Sequence, residues 1–405
     1  MKKVIIVGAG ASGMFAAWSA SVSGKEVTVI EKNDIPGKKL LITGKGRCNI
    51  TNNCSMQDMI ESITKNGSFL YSSLASFGPH DIIGFFEQNK LKTTTERGNR
   101  VFPANGNAKD VTDTIYGVLK KNKVTFVFNK TVKGLIIENH RVKGVKTCDD
   151  RIIEADSVII CTGGMSYPKT GSDGSGYHLA SSAGHKITEL KPGLAPLEVK
   201  QDWVKSLQGL SLKNVVLSAF SGNNRIFSEM GEMLFTHFGI SGPLVLSLSS
   251  RIYDQNDLRL SIDLKPALEH DTLDKRILRD FEISKNKLYK NSLNRLLPSK
   301  LIPVIVTLSG IDPQKPVNSI TREERSGLGD LLKDLSMTYS KTRPVEEGII
   351  TRGGISLKEI DPKTMGSKLV KGLYFAGEIM DLDAPTGGFN LTIAFSTGYK
   401  AGIMS

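Results

Sequence analysis

Three clusters in the chain combine residue types and spacings that do chemistry. The first is Gly8-Ala9-Gly10-Ala11-Ser12-Gly13, a G-x-G-x-x-G, followed downstream by the acid Glu31. In that pattern Gly8 allows a tight turn, Gly10 lets backbone amides approach a diphosphate, and Gly13 lets a helix pack closely on a strand. The carboxylate of Glu31 accepts hydrogen bonds from both ribose hydroxyls of an adenosine and repels a 2′-phosphate, which fits FAD or NAD and disfavours NADP. The second cluster is Thr162-Gly163-Gly164, where glycine lets the chain pass close to a ligand. The third lies far downstream and comprises Gly377-Glu378, Asp381 and the run Gly387-Gly388-Phe389-Asn390-Leu391.

Each cluster needs an element to carry it. Val4-Ile5-Ile6-Val7 is a β-branched apolar run and predicts a buried parallel strand; residues 14–22 predict an Ala-rich helix and 26–30 a second strand ending at Glu31. The helix N-terminus adds unpaired N–H groups and a partial positive charge. An apolar strand over 156–161 runs into Thr162, and another over 372–376 runs into Gly377-Glu378. A helix follows Gly388, its first amides suited to the flavin pyrimidine edge, where negative charge accumulates on reduction. The N-terminal unit alone leaves FAD and NAD open, whereas a second strand-Gly-acid-helix unit suits the longer FAD. Residues 124–132 and 135–145 alternate and predict strands of a hairpin or small sheet bordering the adenosine.

At 405 residues, 39% hydrophobic and 23% charged, the chain is neither disordered nor fibrous, and at ~100–200 residues per domain it predicts two or three folding units. Fifty-three Lys plus Arg against 41 Asp plus Glu leave +12, which attracts anions without choosing among a phosphate cofactor, RNA and acidic lipid. Cys48, Cys54, Cys148 and Cys161 form no disulfide framework and no C-x-x-C pair, so a reducing cytoplasm is the expected setting. The uncharged stretch 4–24 is interrupted by Gly8, Gly10, Gly13 and several serines, so neither a signal peptide nor a membrane span is predicted. No paired acids, zinc-ligand cluster or Ser-His-Asp order stands out.

Between about 191 and 347 the glycine signals vanish, which predicts an insertion within a discontinuous nucleotide-binding domain of residues 1–190 and 348–405. Within it, 191–265 reads as β-rich and 266–335 as helical. Runs 215–220, 225–230 and 232–236 predict three short strands of a barrel-like sheet; 272–297, 299–308 and 322–335 predict helices. The basic residues between 275 and 300 read as a solvated helix face, so nucleic acid is not an expected partner. His237, in a turn with Gly239, Ser241, Gly242 and Pro243, is the candidate acid–base group, with a structural histidine bonded within its loop as an equal alternative. Tyr167 is a second candidate, and Tyr177 reads as packing.

With these elements in place, the chain resembles the two-dinucleotide-binding-domain flavoproteins. More narrowly it is similar to a bacterial family that includes aminoacetone oxidases and BaiN-like NAD(P)/FAD-dependent oxidoreductases. The segments that carry the resemblance are 37–52 (Gly37-Lys38-Lys39 through Gly46-Arg47-Cys48-Asn49), 162–176, 234–243 and 372–402. Lys45 and Gly366 depart from the family pattern, where glycine and an acid are frequent. The resemblance implies an α/β fold: a Rossmann-like FAD-binding domain with an inserted β-barrel-like and helical substrate domain. It also implies a bound FAD lined by Gly8, Gly10, Ala11, Ser12, Gly13, Glu31, Lys32, Arg47, Cys48, Val132, Thr162, Gly163, Gly377, Glu378, Asp381, Gly388, Phe389, Asn390 and Leu391. Lys32 and Arg47 would stand as cations near the diphosphate, and Glu31 with Glu378 or Asp381 would hold ribose and ribityl hydroxyls. Cys48 would be a small buried side chain near the flavin, with covalent attachment as the lesser alternative.

The implied activity is an FAD-dependent oxidoreductase acting on a small molecule, by amine oxidation with O₂ or by NAD(P)H-linked reduction of a conjugated enone. Gly171 to Gly176 is glycine-rich but lacks a preceding strand, so NAD(P)H is expected as a transient electron donor at most. A tRNA-acting flavoprotein and a flavin-binding sensor without turnover are the alternatives.

Overall fold

The apolar run that opens the chain cannot face water on either side, and it becomes the middle strand of a parallel sheet. The computed structural model describes residues 1–405 except 64, 253, 254 and 256. Two units emerge: Met1–Gly193 with Pro344–Ser405, and Leu194–Arg343. In the first, strands β1 (Lys3–Val7), β2 (Glu26–Ile30), β3 (Thr125–Val127), β4 (Ser157–Ile160) and β5 (Leu373–Phe375) pair in parallel in the order β5-β4-β1-β2-β3. Val4, Ile5 and Ile6 are buried, as are Val158, Ile159 and Ile160 beside them.

Helix α1 (Ala11–Val22) connects β1 to β2, and helix α2 (Phe389–Met404) ends the chain beside it. Small residues let the two backbones touch. A Cβ built on Gly398 would lie 2.2 Å from Ser12 O, and one on Gly402 would lie 2.0 Å from Ser19 Oγ. Around this contact Phe15 packs on Phe395 with ring centroids 4.4 Å apart and on Phe85 at 4.9 Å, each buried ring contributing about 2 kcal/mol.

The expected strand over 124–132 is divided. Asn129 adopts a left-handed conformation, φ 56°, and Lys130 donates its N–H to Glu31 O, so the chain turns away after β3. Val132–Glu138 instead pairs with Arg141–Thr147, and that strand with Ile152–Glu154, as a separate antiparallel sheet.

The second unit contains a closed six-stranded barrel of Leu197–Val199, Gly239–Ser241, Asn224–Phe235, Ser211–Ser221, Arg259–Asp263 and Leu335–Thr342, in that order. Two long strands replace the three short ones expected. Gly231 does not end a strand; its missing side chain makes room for Leu244, whose Cγ would stand 3.1 Å from a Cβ there. The helix expected over 272–297 stops at Ile283. Beyond it Tyr289 N–H bonds to Lys315 O and Val317 N–H to Lys287 O, and these pairings draw the chain into two 3₁₀ turns, Tyr289–Asn291 and Leu293–Arg295, that still bury Tyr289 and Leu293. The helix expected over 299–308 starts late, as Ile302–Leu308, and the next ends at Lys333 because Leu335 opens a barrel strand.

Candidate cofactor site

The glycine turn is built as its spacing demands. Gly8 follows β1 with φ +101° and donates its N–H to Ile30 O at 2.8 Å. A Cβ on Gly8 would lie 2.7 Å from Cys161 O, and one on Gly13 would lie 1.9 Å from Gly8 O, so both positions exclude a side chain. Gly10 differs, since a Cβ there would meet nothing within 4 Å. It caps α1, whose first turn has neither a side-chain cap nor an acid. The amides of that turn are therefore left to an anion approaching over Gly10.

Glu31, 7% exposed, stands at the C-terminal end of β2. Its Oε2 accepts the Ala9 N–H at 2.7 Å, and its Oε1 accepts the Asn33 N–H and Nδ2, each at 2.8 Å. Asn33 Nδ2 also donates to Thr170 O at 3.0 Å, which ties the acid to the loop after β4. In that loop Gly163 has φ +71°, and a Cβ on it would lie 2.8 Å from Ser172 Oγ. Thr162 Oγ1 is buried with no hydrogen-bond partner among the described residues.

The C-terminal cluster closes on the same place. Gly377 has φ +80°, and a Cβ on it would lie 2.6 Å from Ser12 Oγ in the first turn of α1. Glu378 accepts Lys39 Nζ at 2.9 Å and the Thr351 N–H at 2.8 Å. Asn390 clamps the preceding loop, donating to Ala384 O at 2.7 Å and accepting the Ala384 N–H at 3.0 Å. Gly388 begins α2 with φ +100° against Thr51 O, and Asn49 Oδ1, with its amide so oriented, accepts the Gly388 N–H at 3.0 Å. Phe389 and Leu391 pack on the core. The glycine turn, Glu31, Thr162-Gly163 and Gly377-Glu378 thus gather at the C-terminal ends of parallel strands, where open α/β sheets bind ligands. The glycine turn with its open Gly10 and uncapped helix, an acid at each end, and tight Gly-lined backbone fit a dinucleotide.

Other expected members stand differently. Lys32 Nζ binds Asp173 at 2.7 Å and Ser175 Oγ at 3.1 Å, and Arg47 pairs with Glu96 while lying 4.3 Å over the Phe102 ring. Both cations are engaged by nearby acids through charge-assisted hydrogen bonds. Cys48 is fully buried, and burial pushes its thiol up to about 12, so it carries no thiolate near neutral pH. Val132 is buried at the start of the hairpin. Asp381 lies 3.7 Å from Lys65. His237 is exposed in the barrel unit, between Asn224–Phe235 and Gly239–Ser241, with its ring edge-on to Phe238 at 4.9 Å. Tyr167 is also exposed. The Tyr177 hydroxyl is buried without a partner among the described residues, and burial together with Glu378 and Asp381 holds its proton on.

Sequence reasoning missed Asn33, Lys39, Thr351 and Asp383. Lys39 lies inside the 37–52 segment and was within reach of its motif. Asn33 acts from a loop, and Thr351 from the short strand Ile350–Arg352, whose pairing with Lys191–Gly193 is long-range and leaves no spacing signal. Asp383, 5% exposed, pairs with Arg352 at 3.3 Å, and burial, aided by Asp381, raises its carboxyl above the usual range. Among the described residues no group of three or more His, Cys, Asp or Glu side chains could hold a metal ion, and no helix is long and apolar enough to cross a membrane.

The family described as HI0933-like protein Rossmann domain matches residues 2–404. A 3-dehydro-bile acid delta(4,6)-reductase of Clostridium scindens is 31% identical over 99% of this chain and 98% of its own. A ribosomal RNA dihydrouridine synthase of Escherichia coli is 29% identical over 98% and 96%. Among solved structures, a 3-ketosteroid delta1-dehydrogenase from Sterolibacterium denitrificans shares the fold with a TM-score of 0.50 at 14% identity, covering 99% of each chain.

Proposed function

The chain belongs to the HI0933-like Rossmann-domain family, and on that footing we propose that it is an FAD-dependent reductase that saturates a carbon–carbon double bond conjugated to a carbonyl. The observation that supports the FAD part of this reading is the convergence of the glycine turn, Glu31 and Glu378 at the strand ends, a cradle with an acid at each end. FAD, when bound, supplies reversible two-electron chemistry. The first amides of α1 would hold its diphosphate, Glu31 the adenosine ribose and Glu378 the ribityl hydroxyls, and the amides following Gly388 would serve the flavin ring. His237 is the proposed proton-exchanging group, on the chemistry of an exposed imidazole. NAD(P)H is the proposed electron donor.

The relatives support reduction as the proposed direction. A delta(4,6)-reductase of a 3-dehydro-bile acid and a dihydrouridine synthase both add two hydrogens across a ring double bond conjugated to a carbonyl. That common chemistry favours reduction over oxidation of an amine. The test is to purify the protein, identify the released cofactor, and follow the flavin spectrum anaerobically. NADPH or NADH should bleach it and a 3-oxo-Δ4-steroid or other cyclic enone should restore it. Bleaching by aminoacetone and not by a nicotinamide would replace this reading with amine oxidation.

A uracil in RNA is a second substrate reading, favoured by the charge. Between Lys275 and Lys300 eight cations stand against two acids, Asp280 and Glu282, within a chain of net +12. Lys275, Arg279, Lys285, Lys287, Lys290, Arg295 and Lys300 are exposed. Ribosomal RNA from cells lacking the protein should then lose dihydrouridine, and RNA affinity should fall linearly as log K against log salt. Unchanged dihydrouridine removes this substrate.

A further inference from the structure

We propose that Lys39 is the side-chain cation that holds the cofactor diphosphate, beside Glu378; the inference rests on the FAD reading above.

A diphosphate brings two negative charges to the glycine turn, and a helix N-terminus answers with only about half a positive charge. Five cations lie in or next to the loop that follows β2, of which Lys45 is exposed in a left-handed turn. Lys32 is taken by Asp173 and Ser175, Arg47 by Glu96, and Lys38 Nζ lies 3.4 Å from Asn33 Oδ1. Lys39 differs in where both its ends are fixed. Its backbone is anchored to the glycine turn, because Gly37 donates its N–H to Ala9 O at 2.8 Å, and Leu41 N–H then bonds back to Gly37 O at 3.1 Å. Its ammonium meets Glu378 Oε2 at 2.9 Å and Oε1 at 3.2 Å.

Glu378 is itself held in place. Thr351 donates its N–H to Oε1, and the preceding Gly377 lies against Ser12 in the first turn of α1. Lys39 therefore links the turn that follows β1, through Gly37 and Ala9, to the turn that follows β5, through Glu378, and the proposed diphosphate lies between these two turns. Its side chain is 24% exposed, and an ammonium has three N–H donors, enough to serve a carboxylate and a phosphate together.

The test is calorimetric titration of the apoprotein with FAD, ADP and adenosine, with no turnover involved. Lys39→Met should weaken FAD and ADP about tenfold or more while leaving adenosine unchanged, and Lys39→Arg should keep most of the affinity. Arg47→Ala and Lys32→Met should leave ADP binding near wild type. A melting curve of each apoprotein reports its folding, and Lys39→Gln takes the place of Lys39→Met if the latter does not fold. The proposal is overturned if the folded Lys39 variant binds ADP as wild type does, if it loses ADP and adenosine equally, or if Arg47→Ala is the variant with the selective ADP defect. A wild-type chain that takes up neither FAD nor ADP overturns the FAD reading itself, and this inference with it.

Discussion

The Glu31 carboxylate and the Ala9 N–H meet at 2.7 Å, so the acid that ends the second strand is bonded to the turn that ends the first. One oxygen is committed to the turn and the other to Asn33, which fixes the carboxylate plane in a site that is 7% exposed. A ribose hydroxyl approaching Glu31, as the proposed FAD site requires, would meet an acceptor already oriented, with little rotamer entropy left to lose.

Replacing that acid should therefore cost affinity in two grades. Glu31→Gln keeps the shape and loses the charge-assisted acceptor, and should weaken FAD about tenfold. Glu31→Arg adds a cation against the Ala9 amide and should leave the purified protein essentially free of flavin. The absorbance ratio of flavin to protein after purification reads both, and full occupancy in Glu31→Arg would remove Glu31 from the site.

Gly398→Val probes the contact between the two helices that start at the cradle. The new side chain would begin 2.2 Å from Ser12 O, which belongs to backbone and cannot yield as a side-chain tip can. We expect a loss of about 1–3 kcal/mol in stability, seen as a lower melting temperature, and reduced flavin occupancy as Ser12 moves. A variant with wild-type melting and occupancy would show that α1 and α2 can separate freely.

The buried thiols predict a response to alkali. Burial pushes Cys48 and Cys161 from the ordinary 9.0 up to about 12 in the folded chain. The unfolded chain therefore ionises first, and the stability these thiols contribute is intact below about pH 9 and lost as pH rises from 9 toward about 12. Each loses at most about 1.4 kcal/mol per pH unit in that window. Denaturant midpoints across the window should fall less steeply in Cys48→Ala than in wild type. A thiol reagent near pH 8 should label exposed Cys148 first and reach Cys48 and Cys161 only on unfolding. Rapid labelling of all four cysteines in the native protein would contradict this.

His237→Asn separates the proposed acid–base group from cofactor binding. Steady-state turnover should fall on the order of 100-fold or more while flavin occupancy stays at the wild-type level. Turnover that is unchanged, with an unchanged pH profile, removes His237 from the chemistry.

Much of the nucleotide-binding unit was legible because its signals are local. Val4 to Gly13 specify strand, turn and helix through β-branching and glycine spacing alone, and Leu373 to Glu378 repeat the strand-Gly-acid pattern. Long-range pairings were not legible. The strand expected over 124–132 is cut where Lys130 bonds to Glu31 O, and the helix expected through 297 ends where Tyr289 and Val317 find partners across a loop. The same limit applied to charge. Lys32 and Arg47 pair in the fold with Asp173 and Glu96, partners remote in sequence that no local pattern announces.

What the amino-acid order determined unaided was which backbone conformations are permitted: glycine where a Cβ would strike a neighbouring carbonyl, branched apolar residues where a strand is covered on both faces, an acid at the end of the second strand. What the tertiary structure decided was which charges meet. An ion pair depends on a distance of a few ångströms between residues that can be hundreds apart in the chain, and only the packed sheet sets that distance. It is the packing that puts Lys39 on Glu378 and turns Arg47 toward Glu96.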